Sequence, residues 1–359
     1  MKKNRSYAFF SEILLDWDRH DNFRTMPWKC EKDPYKIWLS EVILQQTRVE
    51  QGLSYYLHFV DQFPDVHHLA KAEETLIFKM WEGLGYYSRC RNLIHTARYV
   101  SENLNGQFPQ NYEGLIQLKG IGPYTASAIA SFAFGELRAV VDGNVIRVLS
   151  RIFGLEIPWD TPEGKKKFED LAQQLIDPTE PGRYNQAIMD FGATICKPRN
   201  PDCVTCPFNQ KCQAHLHEKV DLLPVKSKRI KVRERWFNYF ICHYNNGIYI
   251  SQRDQKDIWQ GLHEFVCIET DQLFTPQKML GSKQLKMMLT MPYKVVHKSE
   301  VFTQKLTHQT IHARFFELSL EQPYQNERFQ WIGLKNLRQH AFPRLINSYL
   351  EHRPLNSGF

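Results

Sequence analysis

Four of the eight cysteines crowd into one short stretch, Cys196-x6-Cys203-x2-Cys206-x5-Cys212, while Cys30, Cys90, Cys242 and Cys267 stand apart. In a reducing compartment such a cluster points to metal rather than to disulfides. Four thiolates in one loop can enclose a tetrahedral zinc or a cubane iron–sulfur cluster. Zinc sites usually present two Cys-x2-Cys pairs; the single pair here, with unequal arms, favours iron–sulfur. Lys197, Arg199 and Lys211 give the loop a positive rim. Two carboxylates carry a different chemistry. Glu41 lies in the run Trp38 to Thr47, where its neighbours at helical spacing include Ile37, Trp38, Leu44 and Gln45. It is either an ordinary exposed helical glutamate or a desolvated one, whose raised pKa keeps it a proton donor near neutrality. Asp142 precedes the apolar periodic stretch Val145, Leu149, Ile152 and Phe153. The plain reading is a helix N-cap; the chemical one is an anion that stabilises a positively charged sugar when a base departs.

Between the carboxylates lies Leu118-Lys119-Gly120-Ile121-Gly122-Pro123-Tyr124-Thr125-Ala126. Two glycines allow a tight turn and close approach to a ligand, and a helix starting just after them aims its free N–H groups outward, a phosphate-binding geometry. This is the pattern of a helix-hairpin-helix over about 113–134, though a Gly-x-Gly turn between helices also serves as a plain structural joint.

The elements that must position these groups are mostly helical up to about residue 215. From Asp33 to Phe134 apolar residues recur at helical spacing, with Asp33 and Pro34 forming a good helix start. Further helices are predicted over Glu74–Trp81, Ser88–Leu104, Tyr124–Phe134, Val145–Phe153 and Pro162–Leu175. A basic linker follows at 216–235, where Lys226, Lys228, Arg229, Lys231, Arg233 and Arg235 stand against Glu234. It reads as an exposed, solvated charge run, with a phosphate-contacting strap as the other reading. From 236 to 359 the texture is α+β. Strands are predicted at Trp236–Tyr244 and Gly247–Gln252, joined through Asn245 and Asn246, then at Val295–Phe302 and His312–Leu318, with a closing helix at Phe342–Tyr349. No internal repeat or low-complexity segment interrupts this order.

A chain of 359 residues suits two or three domains, and its 42% hydrophobic and 24% charged residues exclude a disordered or collagen-like protein. The formal charge of +7 favours a polyanionic partner. No apolar run is long enough to span a membrane, and Lys2, Lys3 and Arg5 lead only into Tyr7 to Phe10 before Ser11 and Glu12, too short for a signal segment. The expectation is a soluble, cytoplasmic protein.

The hairpin, Asp142 and the cysteine loop together resemble the endonuclease III-like DNA glycosylase superfamily over roughly residues 8 to 215. Within it, WLSEVILQQTRV (Trp38 to Val49), WEGLGYYSRCRNL (Trp81 to Leu93), VDGNVIRV (Val141 to Val148) and NQAIMDFGATIC (Asn185 to Cys196) are similar to the adenine DNA glycosylases of the MutY family. The resemblance implies a monofunctional enzyme, a nucleoid-associated monomer that removes adenine opposite 8-oxoguanine, or guanine, from duplex DNA. It implies a [4Fe-4S] cluster on Cys196, Cys203, Cys206 and Cys212, with Glu41 as the acid and Asp142 as the stabiliser of the sugar cation. Asn144 would position Asp142 and the water. Tyr124 stands where lyase-active relatives place lysine, and a phenol cannot form a Schiff base. Trp28, Lys29, Leu44 and Gln186 fall in the adenine pocket, Gln46 and Tyr86 where the duplex is wedged, and Gly120 and Gly122 in the DNA-binding hairpin.

The C-terminal part resembles the family's Nudix-like domain. A working Nudix hydrolase needs a Glu-rich helix for Mg2+, yet Gln272 through Ser299 contains no Asp or Glu, so nucleotide hydrolysis is not expected. Leu306, Thr307 and His308 occupy the place of the Phe-Ser-His loop that reads 8-oxoguanine, with the aromatic replaced by Leu306. Two other readings stay open: a bifunctional glycosylase and lyase for oxidised pyrimidines, and an iron–sulfur DNA-binding or redox-sensing protein without catalysis. Tyr124 speaks against the first, and Glu41 with Asp142 against the second.

Overall fold

A computed structural model of the chain describes residues 8–227 and 232–355. Lys2, Lys3, Arg5, Lys228, Arg229 and Lys231 of the basic segments lie outside the described residues. Two compact units emerge, Met1–Lys71 with Asn92–Lys228, and Ala72–Arg91 with Arg229–Phe359. The sequence boundaries assign 72–91 to the helical region, whereas its packing places it with the sheet. No helix among the described residues is long and apolar enough to cross a membrane.

In chain order the helices before the sheet are α1 (Ala8–His20), α2 (Pro34–Leu44), α3 (Val49–Gln62), α4 (Val66–Lys71), α5 (Glu74–Met80), α6 (Tyr87–Asn103), α7 (Tyr112–Leu115), α8 (Pro123–Phe134), α9 (Gly143–Phe153), α10 (Pro162–Leu175), α11 (Pro181–Thr194) and α12 (Gln213–Leu216). Asp33 caps α2 as expected, accepting from the Tyr35 N–H at 2.9 Å with Pro34 in the first turn. Every residue from Ile37 to Ile43 of α2 is buried, so the helix is central to its unit and Glu41 is enclosed with it. A cluster of Phe10 and Leu14 from α1, Val148 and Leu149 from α9, Phe168 from α10, and Ile188 and Phe191 from α11 forms the core beside the cysteine loop. Phe208, between Cys206 and Cys212, is fully buried in it, stacked on Phe10 at 5.2 Å and edge-on to Phe191 at 5.4 Å. Such a burial stabilises by roughly 2–3 kcal/mol and anchors the loop to the helices.

Among the described residues the second unit is built on an eight-stranded sheet. Its strands are β1 (Arg233–Tyr244), β2 (Gly247–Gln252), β3 (His263–Glu264), β4 (Val266–Thr270), β5 (Tyr293–Lys298), β6 (Phe302–Lys305), β7 (Gln309–Leu320) and β8 (Gln330–Gly333). Helices α13 (Pro276–Leu280), α14 (Lys283–Met288) and α15 (Arg344–His352) accompany them. β1 runs parallel to β7 from Arg233 opposite Gln309 to His243 opposite Ser319, and antiparallel to β2. The β1–β2 turn is the tight one that the residues predict: Asn245 and Asn246 adopt φ of 47° and 57°, the left-handed pair that suits a two-residue hairpin. Met279 and Leu285 pack with Phe240, Cys242, Val266 and Phe316 on one face of the sheet. On the other, Tyr349 of α15 stacks on Phe315 at 4.1 Å.

Two expectations need correction. The single strand over Val295–Phe302 is two strands, β5 and β6, because β7 pairs with both in turn and Ser299 breaks the ladder, its hydroxyl accepting from the Phe315 N–H at 2.9 Å. The charge run also ends early. Arg233 and Arg235 belong to β1, and Arg235 is buried, its guanidinium forked onto Glu269 at 2.7 Å and Asp257 at 2.8 Å. Its acids lie far along the chain, so a local count of charges misses them.

Candidate active site and cysteine loop

Glu41 is 8% exposed, and burial pushes its carboxyl up to about 7. The Tyr124 hydroxyl hydrogen-bonds it, which partly offsets that rise, while the nearby negative charge of Asp142 adds to it. The desolvated reading of Glu41 therefore holds. Tyr124 sits in the first turn of α8 and also reaches the Met189 sulfur at 3.6 Å. Burial holds its phenol protonated far above the usual range.

The structure shows the capping reading of Asp142 directly, and the same bonds leave its carboxylate part-buried beside Glu41. It is the N-cap of α9, with Oδ1 accepting from the Val145 N–H at 2.7 Å, while Oδ2 accepts from the Asn144 amide at 2.8 Å. Burial raises its pKa, and the two hydrogen bonds and the Arg147 charge oppose that rise. Placing Asn144 there needs Gly192 of α11, since a Cβ at 192 would come within 2.7 Å of the Asn144 Cβ. Asn185 steadies the approach to Asp142, accepting from the Val140 N–H at 3.0 Å and donating to the Arg138 carbonyl at 2.8 Å.

Arg147 and Arg151, two turns of α9, carry this corner toward the cysteines. Arg147 donates to Asn144 Oδ1 at 2.8 Å, to the Gly192 carbonyl at 2.7 Å and to the Cys196 carbonyl at 2.8 Å. Arg151 donates to the Lys197 carbonyl at 2.7 Å and reaches the Cys196 sulfur at 3.5 Å. Sequence reading missed both; basic residues on an otherwise apolar helix, four apart, are the signal that marks them. Cys196, Cys203, Cys206 and Cys212 line one cavity with Arg151, and none forms a disulfide. Burial pushes the Cys206 thiol up to about 12 and raises those of Cys203 and Cys212. Among the described residues no group of three or more metal-ligating side chains is arranged to hold an ion, but by their chemistry four soft sulfurs suit iron.

The hairpin ahead of α8 has the expected construction. Gly120 lies at φ of 80°, and a Cβ there would strike Asn92 at 2.5 Å, while Gly122 caps α8 with open space around it. Thr96, fully buried, donates to the Lys119 carbonyl at 2.6 Å and fixes the turn.

Of the other nominated pocket residues, Lys29 and Gln186 meet on a residue that sequence reading overlooked. Asp190, fully buried, accepts from Lys29 at 3.1 Å, Gln186 at 3.2 Å, Arg24 at 2.9 Å and Asn22 at 3.1 Å. Trp28 packs edge-on to Tyr56 at 5.3 Å, and Leu44 closes α2 against Gly52. Gln46 has φ of 55° and Tyr86 φ of 47°, so both nominated wedge residues occupy the sparsely populated left-handed region, a form of strain that clusters at functional positions. In the sheet unit, Thr307 and His308 stand exposed at the tip of the β6–β7 hairpin, which Leu306 closes through a 2.7 Å bond to the Gln309 carbonyl. The Thr307 hydroxyl meets that of Tyr86 at 2.6 Å.

Comparison with known proteins agrees with this arrangement. Residues 39–178 match the HhH-GPD superfamily of base excision DNA repair proteins, and residues 238–352 match the NUDIX domain. The chain is 33% identical over 350 residues to the adenine DNA glycosylase of Buchnera aphidicola subsp. Schizaphis graminum, covering 95% of this chain and 98% of that protein. It is 43% identical over 227 residues to the adenine DNA glycosylase of Rattus norvegicus, covering 58% of this chain and 44% of that one. A thermostable thymine-DNA glycosylase of known structure superposes with a TM-score of 0.55 at 29% identity, over 60% of this chain and 98% of its own. By its identity to such a relative across nearly the whole of both chains, this chain belongs to the adenine DNA glycosylase family, the monofunctional N-glycosylases of base excision repair.

Proposed function

We propose that this protein hydrolyses the N-glycosidic bond of adenine paired with 8-oxoguanine, or with guanine, in duplex DNA, acting as a monomer. The observation that carries the reading is Glu41: a buried carboxyl, pushed up to about 7 by desolvation, bonded to Tyr124 and close to Asp142, is positioned to serve as a proton donor near neutral pH. Glu41 gives its proton to the departing adenine, the bond between the base and the sugar C1′ breaks with its electron pair leaving on the base, and the sugar becomes cationic. Asp142, held by Asn144 and the Val145 N–H, faces that cation. Water adds at C1′ and loses a proton to the Glu41 carboxylate, which restores the acid. Each such group is typically worth 10²-fold or more in rate.

Trp28, Lys29, Leu44 and Gln186 would enclose the extruded adenine, with Asp190 holding the last polar pair in place. Gln46 and Tyr86 would fill the space it vacates, offsetting a few kcal/mol of lost stacking. Thr307 and His308 would read the opposite base. Cys196, Cys203, Cys206 and Cys212 would hold a [4Fe-4S] cluster, which supplies a rigid tetrathiolate cross-link; Arg147 and Arg151 tie that loop to the start of α9. Purified protein should contain about four irons per chain, and one stoichiometric zinc would overturn this assignment.

The deciding assay uses duplexes with adenine opposite each of the four bases and opposite 8-oxoguanine, followed by strand scission with and without alkali. Cleavage only after alkali, fastest opposite 8-oxoguanine, is expected. Scission without alkali would show a lyase, and none at all would show a binding protein.

A further inference from the structure

The positive charge of this chain is not evenly spread. Gln272–Ser299 contains five lysines and no acid, a net of +5 within a chain of +7, so the rest of the sequence is close to balanced. The structure turns this stretch into α13, α14 and β5. Met279, Leu285 and Leu289 point into the core, which fixes the orientation of the helices. Lys283 and Met287 lie about 200° from Leu285 in opposite senses around α14, on the side away from the core, with Lys286 about 100° from Leu285. Lys278, Lys283, Lys286, Lys294 and Lys298 are all exposed, and among the described residues none pairs with a carboxylate. Lys278 lies over the Phe274 ring at 3.8 Å, which leaves its charge at the surface.

Lysine on β5 alone would be explained by edge protection, because among the described residues β5 pairs only with β7 and charges there discourage strand addition. That account does not extend to α13 and α14, which have no free edge. A segment that carries five exposed lysines and no acid over 28 residues presents a charge that matches a polyanion with regularly spaced charge.

We infer that the α13–α14 face is a phosphate-backbone contact surface for duplex DNA, indifferent to base sequence. The inference rests on the reading that the chain acts on duplex DNA, and adds a binding surface independent of the carboxylates and of the β6–β7 hairpin. Lysines on flexible stems act as point charges, so the surface contributes affinity and search rather than discrimination.

The test is equilibrium binding of undamaged duplex by the full chain across a salt series. Lys278→Gln, Lys283→Gln and Lys286→Gln are combined in one variant, with the matching Lys→Arg triple as a second and folding checked by circular dichroism. Each neutralised phosphate adds about 0.9 to the slope of log affinity against log salt, so the Gln triple should have a slope shallower by about 2 to 3. Between about 50 and 200 mM salt its affinity should fall by a factor roughly fifteen- to sixtyfold smaller than the parent's, and the Arg triple should behave as the parent. A folded Gln triple with the parental slope overturns the inference. So does displacement of the parent's duplex binding only by inorganic triphosphate, with no change in slope, which would mark a small-anion site. Adenine excision by the parent chain is measured alongside: its absence would remove the catalytic reading while leaving the slope comparison to stand alone.

Discussion

Arg147 donates to the Asn144 amide oxygen at 2.8 Å from the same guanidinium that donates to the carbonyl of Cys196 at 2.8 Å. One planar group thus joins the residue that holds Asp142 to the first cysteine of the loop. Lysine has the charge but not the fork, so Arg147→Lys should lower single-turnover adenine excision by about tenfold or more while duplex affinity stays within a few-fold. A parental rate in that variant would show that the link does not support the chemistry.

Glu41 makes two predictions. Its active form is the protonated one, so excision should decline as pH rises through about 7, and Glu41→Gln should abolish it. Stability falls over the same pH range. A carboxyl raised from 4.5 to about 7 by folding leaves the native state unpenalised below pH 4.5 and penalises it increasingly as pH rises to about 7. The cost reaches at most about 3 kcal/mol. Glu41→Gln should therefore melt higher than the parent at alkaline pH and nearly the same in mild acid. Equal melting temperatures at both pH values would contradict the burial that the mechanism needs.

Tyr124→Lys would place an amine beside Glu41, where the sugar is expected. Borohydride should then trap a covalent complex with substrate DNA, formed by amine attack on C1′ with loss of the base. If nothing is trapped while adenine excision persists, Tyr124 does not adjoin the sugar.

Thr307 and His308 lie in the sheet unit and the carboxylates in the helical one. Replacing both by alanine should reduce the preference for adenine opposite 8-oxoguanine over adenine opposite guanine in competitive binding by about tenfold, the worth of one good polar interaction with a base. Single-turnover excision at saturation should fall less. Undiminished discrimination would remove the hairpin from lesion reading.

What the sequence makes legible here follows from the reach of the forces involved. The α2 cap at Asp33 and the turn at Asn245 and Asn246 depend on neighbours within a few positions, and local pattern finds them, whereas the burial of Glu41, which local pattern leaves open, is completed by Tyr124 far along the chain. Asp190 gathers Asn22, Arg24 and Lys29 from more than 160 residues away, and Arg235 finds Asp257 and Glu269 at separations of 22 and 34. Such hubs have no local signature, because a single Asp on a helix and a single Arg in a charge run look like surface residues until the chain is folded. The split of Val295–Phe302 into two strands likewise depends on how far β7 extends beyond each partner.

The discontinuity of the sheet unit also has a temporal meaning. Residues 72–91 carry Phe78, which presses on Gly261, Glu82, whose carboxylate takes the Phe342 N–H and the Asn347 amide at 2.9 Å, and Arg91, which donates to the Gln260 carbonyl. On the ribosome these partners emerge about 170 to 260 positions later. At roughly 5–20 residues per second, the segment waits on the order of ten seconds or more before its partners exist. During that interval Phe78, Trp81 and Tyr87, all buried in the finished protein, are exposed. Release of the nascent chain before its last hundred residues would leave this segment as an adhesive strip, so a truncated product should be a chaperone client or an aggregate and not a free helical half.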